Sequence, residues 1–222
     1  KGDGDQAEHI GFGSTLSNDH NATRQFDFML SNPPYGKSWK TDAEKMGGKK
    51  DILDTRFNIY LENGEQLAMI PRTSDGQLLF LLNNAAKMKK DTPLGSRIAE
   101  VHNGSSLFTG DAGSGESNAR RYLIESDLVE AIIALPENMF YNTGIGTYIW
   151  VLSNKKEDRR KGKIQLIDAT AMKSPLRKNM GKKNCEFTEE IRAEILRIFM
   201  EMEESEVSRI FNNEEFGYWA IT

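Results

Sequence analysis

The sequence predicts an α/β fold built on one mostly parallel β-sheet with an antiparallel edge strand. The chain has 222 residues, of which 38% are hydrophobic and 28% are charged, and this composition is typical of a globular domain with a sizeable core. Apolar runs of strand length alternate with helix-length patterns from residue 26 onward. Beyond residue 146, two β-rich runs follow each other across a short charged turn, which favours an antiparallel pair.

The predicted elements alternate along the chain. Strands are expected at residues 26–31, 97–103, 128–135, 147–152 and 163–167, and helices at about 75–90 and at 116–125. The run 26–31 is short, apolar and ended by Asn-Pro-Pro, which predicts a buried parallel strand. Ser74 or Asp75 is the predicted N-cap of the first helix, because both side chains can accept a hydrogen bond from the first turn.

A further helix is predicted over residues 188–204. Thr188 is a favourable N-cap, and Glu189 and Glu190 suit the positive end of a helix dipole. The apolar positions that recur at helical spacing are Ile191, Ile195, Ile198 and Met202. This amphipathic stripe favours packing on the core, and docking of a partner chain is the alternative.

Composition excludes several classes of protein. No apolar run approaches the ~20 residues that cross a bilayer, and residues 1–5 contain no hydrophobic signal core. We therefore expect a cytoplasmic protein that does not contact a membrane. The single cysteine, Cys185, has no Cys or His neighbours at metal-ligand spacing. We expect a reduced thiol there and no metal site.

The residues with the clearest chemical meaning are Asn32, Pro33, Pro34 and Tyr35, directly after the first predicted strand. Ligands of open α/β sheets sit at the carboxyl ends of the strands. An amino group conjugated to a ring or a carbonyl is a poor nucleophile, because its lone pair is delocalised. The Asn32 side-chain oxygen and the Pro33 carbonyl can each accept one of its N–H groups and so localise that lone pair toward a methyl donor.

The two prolines hold these acceptors in place. A residue that precedes proline is restricted to extended conformations, and this applies to both Asn32 and Pro33. Tyr35 can then stack on a planar substrate, which for a nucleic-acid base contributes roughly 1 to 3 kcal/mol. The alternative is a Pro-Pro turn that only ends the strand, with Tyr35 packed on the sheet.

Longer segments extend this motif into a family resemblance. Residues 26–36, 75–81 and 122–146 resemble the modification (methyltransferase) subunit of type I restriction-modification systems, a gamma-class adenine-N6 DNA methyltransferase. The resemblance implies a class I (Rossmann-like) methyltransferase sheet, S-adenosyl-L-methionine as methyl donor, and DNA as substrate. It also implies a specificity subunit and a restriction subunit as partners, and a second base-stacking side chain at Phe140 or Tyr141. The alternative for these two aromatic residues is packing of their loop onto the sheet.

One departure concerns the cofactor. In this family the glycine-rich cofactor loop lies well upstream of the Asn-Pro-Pro-Tyr motif, whereas only 31 residues precede Asn32 here. We therefore expect a sheet that is incomplete at the N-terminus, and a chain that alone binds the cofactor weakly and is inactive. Gly13, Ser14, Thr15 and Leu16 resemble the segment whose backbone touches the cofactor's adenine; a flexible linker is the alternative. We assign residues 1–170 to the C-terminal half of the catalytic domain and residues 171–222 to a C-terminal extension.

The net charge of −4 is unusual for a DNA enzyme, since basic groups supply most nucleic-acid affinity. Three basic clusters are present, at residues 37–50, 155–163 and 173–183. Each is interpreted as a solvated loop or as a phosphate-binding track. Two other functions stay open at this point: methylation of a glutamine side-chain amide, which requires the same chemistry, and a non-catalytic interaction module.

Overall fold

The computed structural model describes residues 10–61, 63–141 and 143–218. The strands described are β1 (Phe28–Ser31), β2 (Asn58–Tyr60), β3 (Gln66–Ala68), β4 (Arg97–Asn103), β5 (Val129–Leu135), β6 (Thr147–Ser153), β7 (Lys163–Asp168), β8 (Ser174–Met180), β9 (Lys183–Glu186) and β10 (Ser208–Asn212). The α-helices described are α1 (Lys40–Lys45), α2 (Gln77–Ala86), α3 (Ser105–Phe108), α4 (Gly115–Glu125) and α5 (Glu189–Glu201). Short 3-10 helices cover Asp158–Arg160 and Asn213–Phe216.

Six strands form the central sheet in the order β1, β4, β6, β5, β7, β10. β1 pairs in parallel with β4, and β5 pairs in parallel with β7. β6 runs antiparallel between β4 and β5, and β10 runs antiparallel to β7 at the edge. Four of the six strands therefore share one direction, which confirms the predicted α/β fold with a mostly parallel sheet.

The predicted hairpin between the runs 147–152 and 163–167 is wrong. These runs form β6 and β7, but β5 lies between them and pairs with both. β5 is buried at most of its positions on both faces, so it occupies the middle of this half of the sheet. Strands close in sequence usually pair, but burial of β5 outweighs that tendency here. The antiparallel edge strand is β10.

β1 differs from the buried strand that the sequence predicts. It pairs with β4 on one side, and no other described strand pairs with its second side. Phe28 is 65% exposed and Leu30 is 86% exposed, so one face of β1 is uncovered in the described part of the chain. The prediction of a buried strand is therefore wrong for these residues, because β1 lies at the edge of the described sheet.

Two apolar cores cover the sheet. The larger one contains α2 and α4 side chains with Ile98, Trp150 and Leu152 from the sheet. The smaller one contains Ile195, Ile198 and Phe199 of α5 against β5, β6 and β7. The predicted amphipathic helix is confirmed as α5 with Thr188 as N-cap, and its stripe packs on the core. α2 begins at Gln77, so the prediction that Ser74 or Asp75 is its N-cap is wrong: Gly76 occupies that position.

The carboxyl end of α5 is attached to the sheet by polar side chains. Gln165 of β7 donates its amide to the carbonyl of residue 198 at 3.0 Å, and Arg160 donates to the carbonyl of residue 199. Arg159 donates to the next two carbonyls at 2.6 Å and 2.9 Å. Donors therefore meet the last four carbonyls of α5, and the two guanidinium groups suit the negative end of the helix dipole.

The division of the chain into two parts at residue 170 stays a prediction. β10, which lies beyond that residue, belongs to the same sheet as β1.

Several described elements are absent from the predicted set, namely α1, α3, β10 and the hairpins β2–β3 and β8–β9. They are short or exposed, so they carry little apolar periodicity. None of the described helices has the length and apolar composition that a membrane-spanning helix needs.

Asp127 joins three segments at the amino end of β5. Its carboxylate accepts hydrogen bonds from Lys156 at 2.6 Å, from the Gly162 N–H at 3.0 Å and from Asn213 at 2.8 Å. Burial alone would raise the pKa of Asp127, but these hydrogen bonds and the Lys156 charge outweigh burial and lower the pKa. The folded state therefore favours the ionised form of this aspartate.

We predict that Asp127→Asn lowers the free energy of unfolding of the full-length subunit by about 1 to 3 kcal/mol at pH 7, because Lys156 loses a charged partner. Lys156 is 1% exposed. Because folding lowers the pKa of Asp127, its carboxylate makes its full contribution to the free energy of unfolding above the pKa of the unfolded chain. This contribution is lost as the pH falls through the folded-state pKa. The difference from wild type, measured by urea unfolding, should therefore narrow below about pH 4.

Asp158→Asn is the matched control, because Asp158 pairs with Lys161 at a position 96% exposed. It should leave the unfolding midpoint unchanged. Equal effects of the two substitutions would contradict the role given to Asp127.

Candidate active site

The Asn-Pro-Pro-Tyr segment lies where β1 ends, at the edge that also carries the carboxyl ends of β4 and β5. Because β6 is antiparallel to β4, its amino end at Thr147 meets this same edge. The predicted placement of Asn32 at the carboxyl edge of a sheet therefore agrees with the described strands. This is the edge where open α/β sheets bind ligands.

The two predicted acceptors are the Asn32 side-chain oxygen and the Pro33 carbonyl. Asn32 is exposed and Pro33 is buried. Neither the Asn32 side chain nor the Pro33 carbonyl has a hydrogen-bond partner among the residues that the structure describes. The oxygens of these adjacent residues therefore have no described donor, and the backbone at each residue is restricted by the proline that follows it.

Tyr35 is half-buried beside these acceptors. Burial raises the pKa of its phenol. Gly36 follows with a φ of 64°, a left-handed conformation that favours glycine. This turn directs the Gly36 N–H toward Asp75, whose carboxylate accepts it at 3.1 Å.

Asp75 connects the motif to the carboxyl end of β4. It is 8% exposed. Besides Gly36, its carboxylate accepts hydrogen bonds from the Gln77 side-chain amide at 2.8 Å and from the Ser105 hydroxyl at 2.7 Å. Gln77 in turn accepts the N–H of Asn103, the last residue of β4, at 3.1 Å. The loop after the motif is therefore tied to a buried polar network rather than to solvent.

Trp39 fixes the other end of this loop. Its side chain is 4% exposed, and its indole N–H donates to the Arg72 carbonyl at 2.9 Å. Its backbone N–H donates to the Thr73 carbonyl at 3.0 Å. Anchors at Gly36 and Trp39 restrict the motif from its carboxyl side, as β1 does from its amino side.

The two candidate stacking residues after β5 differ in environment. Phe140 is half-buried and packs against the smaller core. Tyr141 is 54% exposed, and the Lys183 ammonium lies 5.3 Å from the centroid of its ring. β5 is the third strand along from β1, or about 14 Å away at the usual strand spacing. The ends of β4 and β6 therefore lie between Tyr35 and this loop. Their side chains can face each other by extending toward one another along the edge of the sheet.

The proposed cofactor segment is followed by Ser17, whose hydroxyl donates to Asp42 of α1 at 2.6 Å. Gly13 and Thr15 are exposed, whereas Leu16 is 2% exposed and belongs to the larger core. Arg56 donates to the Thr15 carbonyl at 2.9 Å and to the Leu16 carbonyl at 2.8 Å. Ser14 accepts the Leu16 N–H at 3.2 Å. The segment is thus a turn held by side chains, and its role toward the cofactor stays a prediction.

A family model described as N-6 DNA Methylase matches residues 2–217. The chain belongs to this family. It is similar to the type I restriction enzyme MjaVII methylase subunit of Methanocaldococcus jannaschii, with 30% identity over 164 residues that cover 72% of this chain and 25% of the relative. It is also similar to the MpnII methylase subunit of Mycoplasma pneumoniae, with 30% identity over 65% of this chain and 23% of the relative. This N-6 DNA methylase chain therefore spans about a quarter of the length of these relatives.

Solved structures agree on the fold. The type I restriction-modification methyltransferase subunit from Streptococcus thermophilus matches with a TM-score of 0.69 and 25% identity, over 91% of this chain and 38% of that one. A modification subunit of a putative type I restriction enzyme from Vibrio vulnificus matches in fold with a TM-score of 0.65 and 17% identity, over 94% of this chain and 38% of that one. The methyltransferase fold that the resemblance implied is confirmed.

The sequence did not predict the polar network beneath the motif. Asn103 ends a predicted strand and Ser105 follows it, so the same rule about carboxyl ends points to them. Asp75 and Gln77 carry no such signal, because a polar residue at a helix start is ordinarily a cap. Only the folded chain brings these four side chains together.

We predict that Asp75→Ala speeds hydrogen exchange at the Gly36 amide of the full-length subunit by about 10- to 100-fold, because a hydrogen bond to a charged group is lost. The measurement is amide exchange followed by mass spectrometry of peptides covering residues 32–39. Asp75→Asn, which keeps an acceptor oxygen, should restore most of the protection. Unchanged exchange in Asp75→Ala would contradict the anchoring role of this residue.

Proposed function

We propose that this chain is the catalytic part of an adenine-specific DNA methyltransferase, which transfers a methyl group from S-adenosyl-L-methionine to the N6 amine of a flipped adenine. The observation that carries the proposal is the pair of free acceptors at Asn32 and Pro33, beside Tyr35 at the carboxyl edge of the sheet. The family model and the names of the relatives support the same reading.

The chemistry follows from these residues. The adenine amine has two N–H groups, and its lone pair is delocalised into the ring. Acceptance of one N–H by Asn32 and of the other by Pro33 draws the nitrogen toward tetrahedral geometry, which localises the lone pair. S-adenosyl-L-methionine, when bound, supplies an electrophilic methyl group. The restricted peptide units at Asn32 and Pro33 keep both oxygens oriented before the substrate arrives, so little reorganisation is needed during reaction.

Aromatic stacking holds the flipped base in this site. Extruding a base from the duplex costs a few kcal/mol, and stacking on Tyr35 returns roughly 1 to 3 kcal/mol. For the opposite face we favour Tyr141 over Phe140, because Tyr141 is 54% exposed while Phe140 packs against the smaller core.

Binding of the cofactor and assembly with partner subunits are proposed to involve more of the protein than the described residues. The exposed backbone at Gly13 and Thr15 is proposed to contact the adenine of the cofactor, and the main cofactor loop is proposed to lie in the part of the relatives that this chain does not cover. We further propose assembly with a specificity subunit that reads the DNA sequence and with a restriction subunit, since the relatives are type I restriction enzyme methylase subunits. None of the comparisons favours glutamine-amide methylation.

We predict that Asn32→Ala lowers kcat for N6 methylation by about 100-fold or more, because one of two preorganised acceptors is lost. The assay is transfer of labelled methyl groups to cognate DNA by the full-length subunit with its specificity partner. Asn63→Ala is the control: Asn63 is exposed at the β2–β3 turn, beside Glu65, which pairs with Arg121 near the carboxyl end of α4. Full activity of Asn32→Ala would reject the assigned chemistry.

A second prediction separates the two stacking candidates. Tyr35→Ala and Tyr141→Ala should each weaken binding of DNA that carries an extrahelical adenine by about 1 to 3 kcal/mol, whereas Phe140→Ala should chiefly reduce the thermal stability of the protein. Fluorescence of 2-aminopurine at the target position reports unstacking directly. The choice of Tyr141 is wrong if only Phe140→Ala changes that fluorescence.

A third prediction concerns the cofactor. Calorimetric titration of S-adenosyl-L-methionine should show binding to the full-length subunit and weak or no binding to the 222-residue chain. A non-catalytic interaction module would bind the cofactor in neither form.

A further inference from the structure

The hairpin formed by β8 and β9 carries a concentration of positive charge that the mechanism does not use. Residues 173–183 contain five basic side chains and no carboxylate, although the whole chain has a net charge of −4. The basic residues are Lys173, Arg177, Lys178, Lys182 and Lys183. We call residues 173–183 the basic ribbon. All of its basic residues are exposed except Lys183, which is half-buried.

The cations of the basic ribbon have no carboxylate partner in the described part of the chain. None of the five forms a salt bridge with a residue in the described part of the chain. Some exposed basic residues elsewhere have carboxylate partners: Lys161 pairs with Asp158 at 2.6 Å, and Arg197 pairs with Glu194 at 2.6 Å. The basic ribbon therefore has a positive charge that no described acidic side chain neutralises.

The basic ribbon is attached to the loop that carries Tyr141. The Lys182 N–H donates to the Tyr141 carbonyl at 2.9 Å, and the Asn184 N–H donates to the Asn138 carbonyl at 3.0 Å. Cys185, which is 2% exposed, anchors the same strand beneath the loop. Lys182 and Lys183 therefore lie beside the candidate base-stacking residue, and the rest of the ribbon continues from them along β8 and β9.

We propose that the basic ribbon binds the phosphate backbone of DNA next to the flipped adenine. The proposal rests on the proposed function and adds the surface that holds the duplex. A strand rises about 3.3 Å per residue, and each DNA strand carries one phosphate about every 3.4 Å along the helix axis. Because successive side chains of a strand point to opposite faces, cations on one face of the ribbon can meet phosphates about two steps apart along a DNA strand. Such contacts position the duplex and carry no sequence information, which suits a subunit whose sequence reading is done by a partner.

An acidic protein surface is the competing occupant, and geometry favours DNA. The backbone bonds to residues 138 and 141 place the ribbon at the sheet edge where the substrate base enters. A base extruded there remains joined to phosphates on both sides, so phosphates must lie near Tyr141 whenever the substrate is bound. The basic ribbon is the cluster of described cations joined directly to that loop.

The test uses the full-length subunit assembled with its specificity partner. Arg177→Gln combined with Lys178→Gln should weaken binding of a cognate duplex about tenfold or more at 0.1 M salt, and should reduce the slope of log K against log salt concentration by about 1 to 2. The KM for DNA in the methylation assay should rise in parallel. Arg177→Lys combined with Lys178→Arg keeps both charges and should retain the wild-type slope.

The matched control removes two exposed cations elsewhere. Lys90→Gln combined with Lys155→Gln changes the net charge equally, and both lysines lie beside the amino end of β4, at the edge opposite to Asn32. This variant should bind DNA like wild type. The proposal would be overturned if the ribbon variant and wild type gave equal slopes of log K against log salt concentration. It would also be overturned if the ribbon variant lost subunit assembly while its DNA affinity stayed unchanged. Absence of N6-methyladenine from the wild-type reaction would instead reject the proposed function.

Discussion

A residue that precedes proline is confined to extended backbone, and this chain applies that restriction twice in succession, at Asn32 and at Pro33. The candidate site depends on this restriction, because it limits the backbone at both acceptors, and no donor among the described residues bonds to either oxygen. The surrounding fold preserves the arrangement: β1 enters from one side, while Asp75 and Trp39 hold the loop that leaves on the other. Asp75 is itself held by Gln77 and Ser105, which both donate to its carboxylate.

Two basic clusters of the chain differ in the partners of their side chains. The basic cluster at residues 155–163 serves the structure, since Lys156 bonds Asp127 while Arg159 and Arg160 bond the last carbonyls of α5. The basic cluster at residues 173–183 has no carboxylate partner in the described chain. Two clusters of Lys and Arg in the sequence therefore correspond to two different physical situations. A paired cation contributes to folding, and an unpaired one is available to an external anion.

Much of the sheet follows from local patterns. The strand at residues 97–103 and the helix with Thr188 as N-cap were predicted with nearly the observed bounds, because their apolar periodicity and capping signals are local. The pairing of β6 and β7 was wrong, since strand order depends on which strand buries both faces, and β5 takes the central place. Local patterns likewise could not predict the exposure of Phe28 and Leu30. An apolar run has the same sequence pattern whether its strand is central or at the edge of a sheet.

The sequence by itself determined the chemical identity of the candidate site, because Asn32, Pro33, Pro34 and Tyr35 are consecutive and their restriction is local to the backbone. The tertiary structure decided which distant groups support that site. Asp75 meets Gly36 across 39 positions of sequence, and Lys182 meets Tyr141 across 41. Contacts of this kind depend on how strands are ordered and how loops return to one sheet edge. No short-range pattern encodes that order, since it results from burial summed over the whole chain.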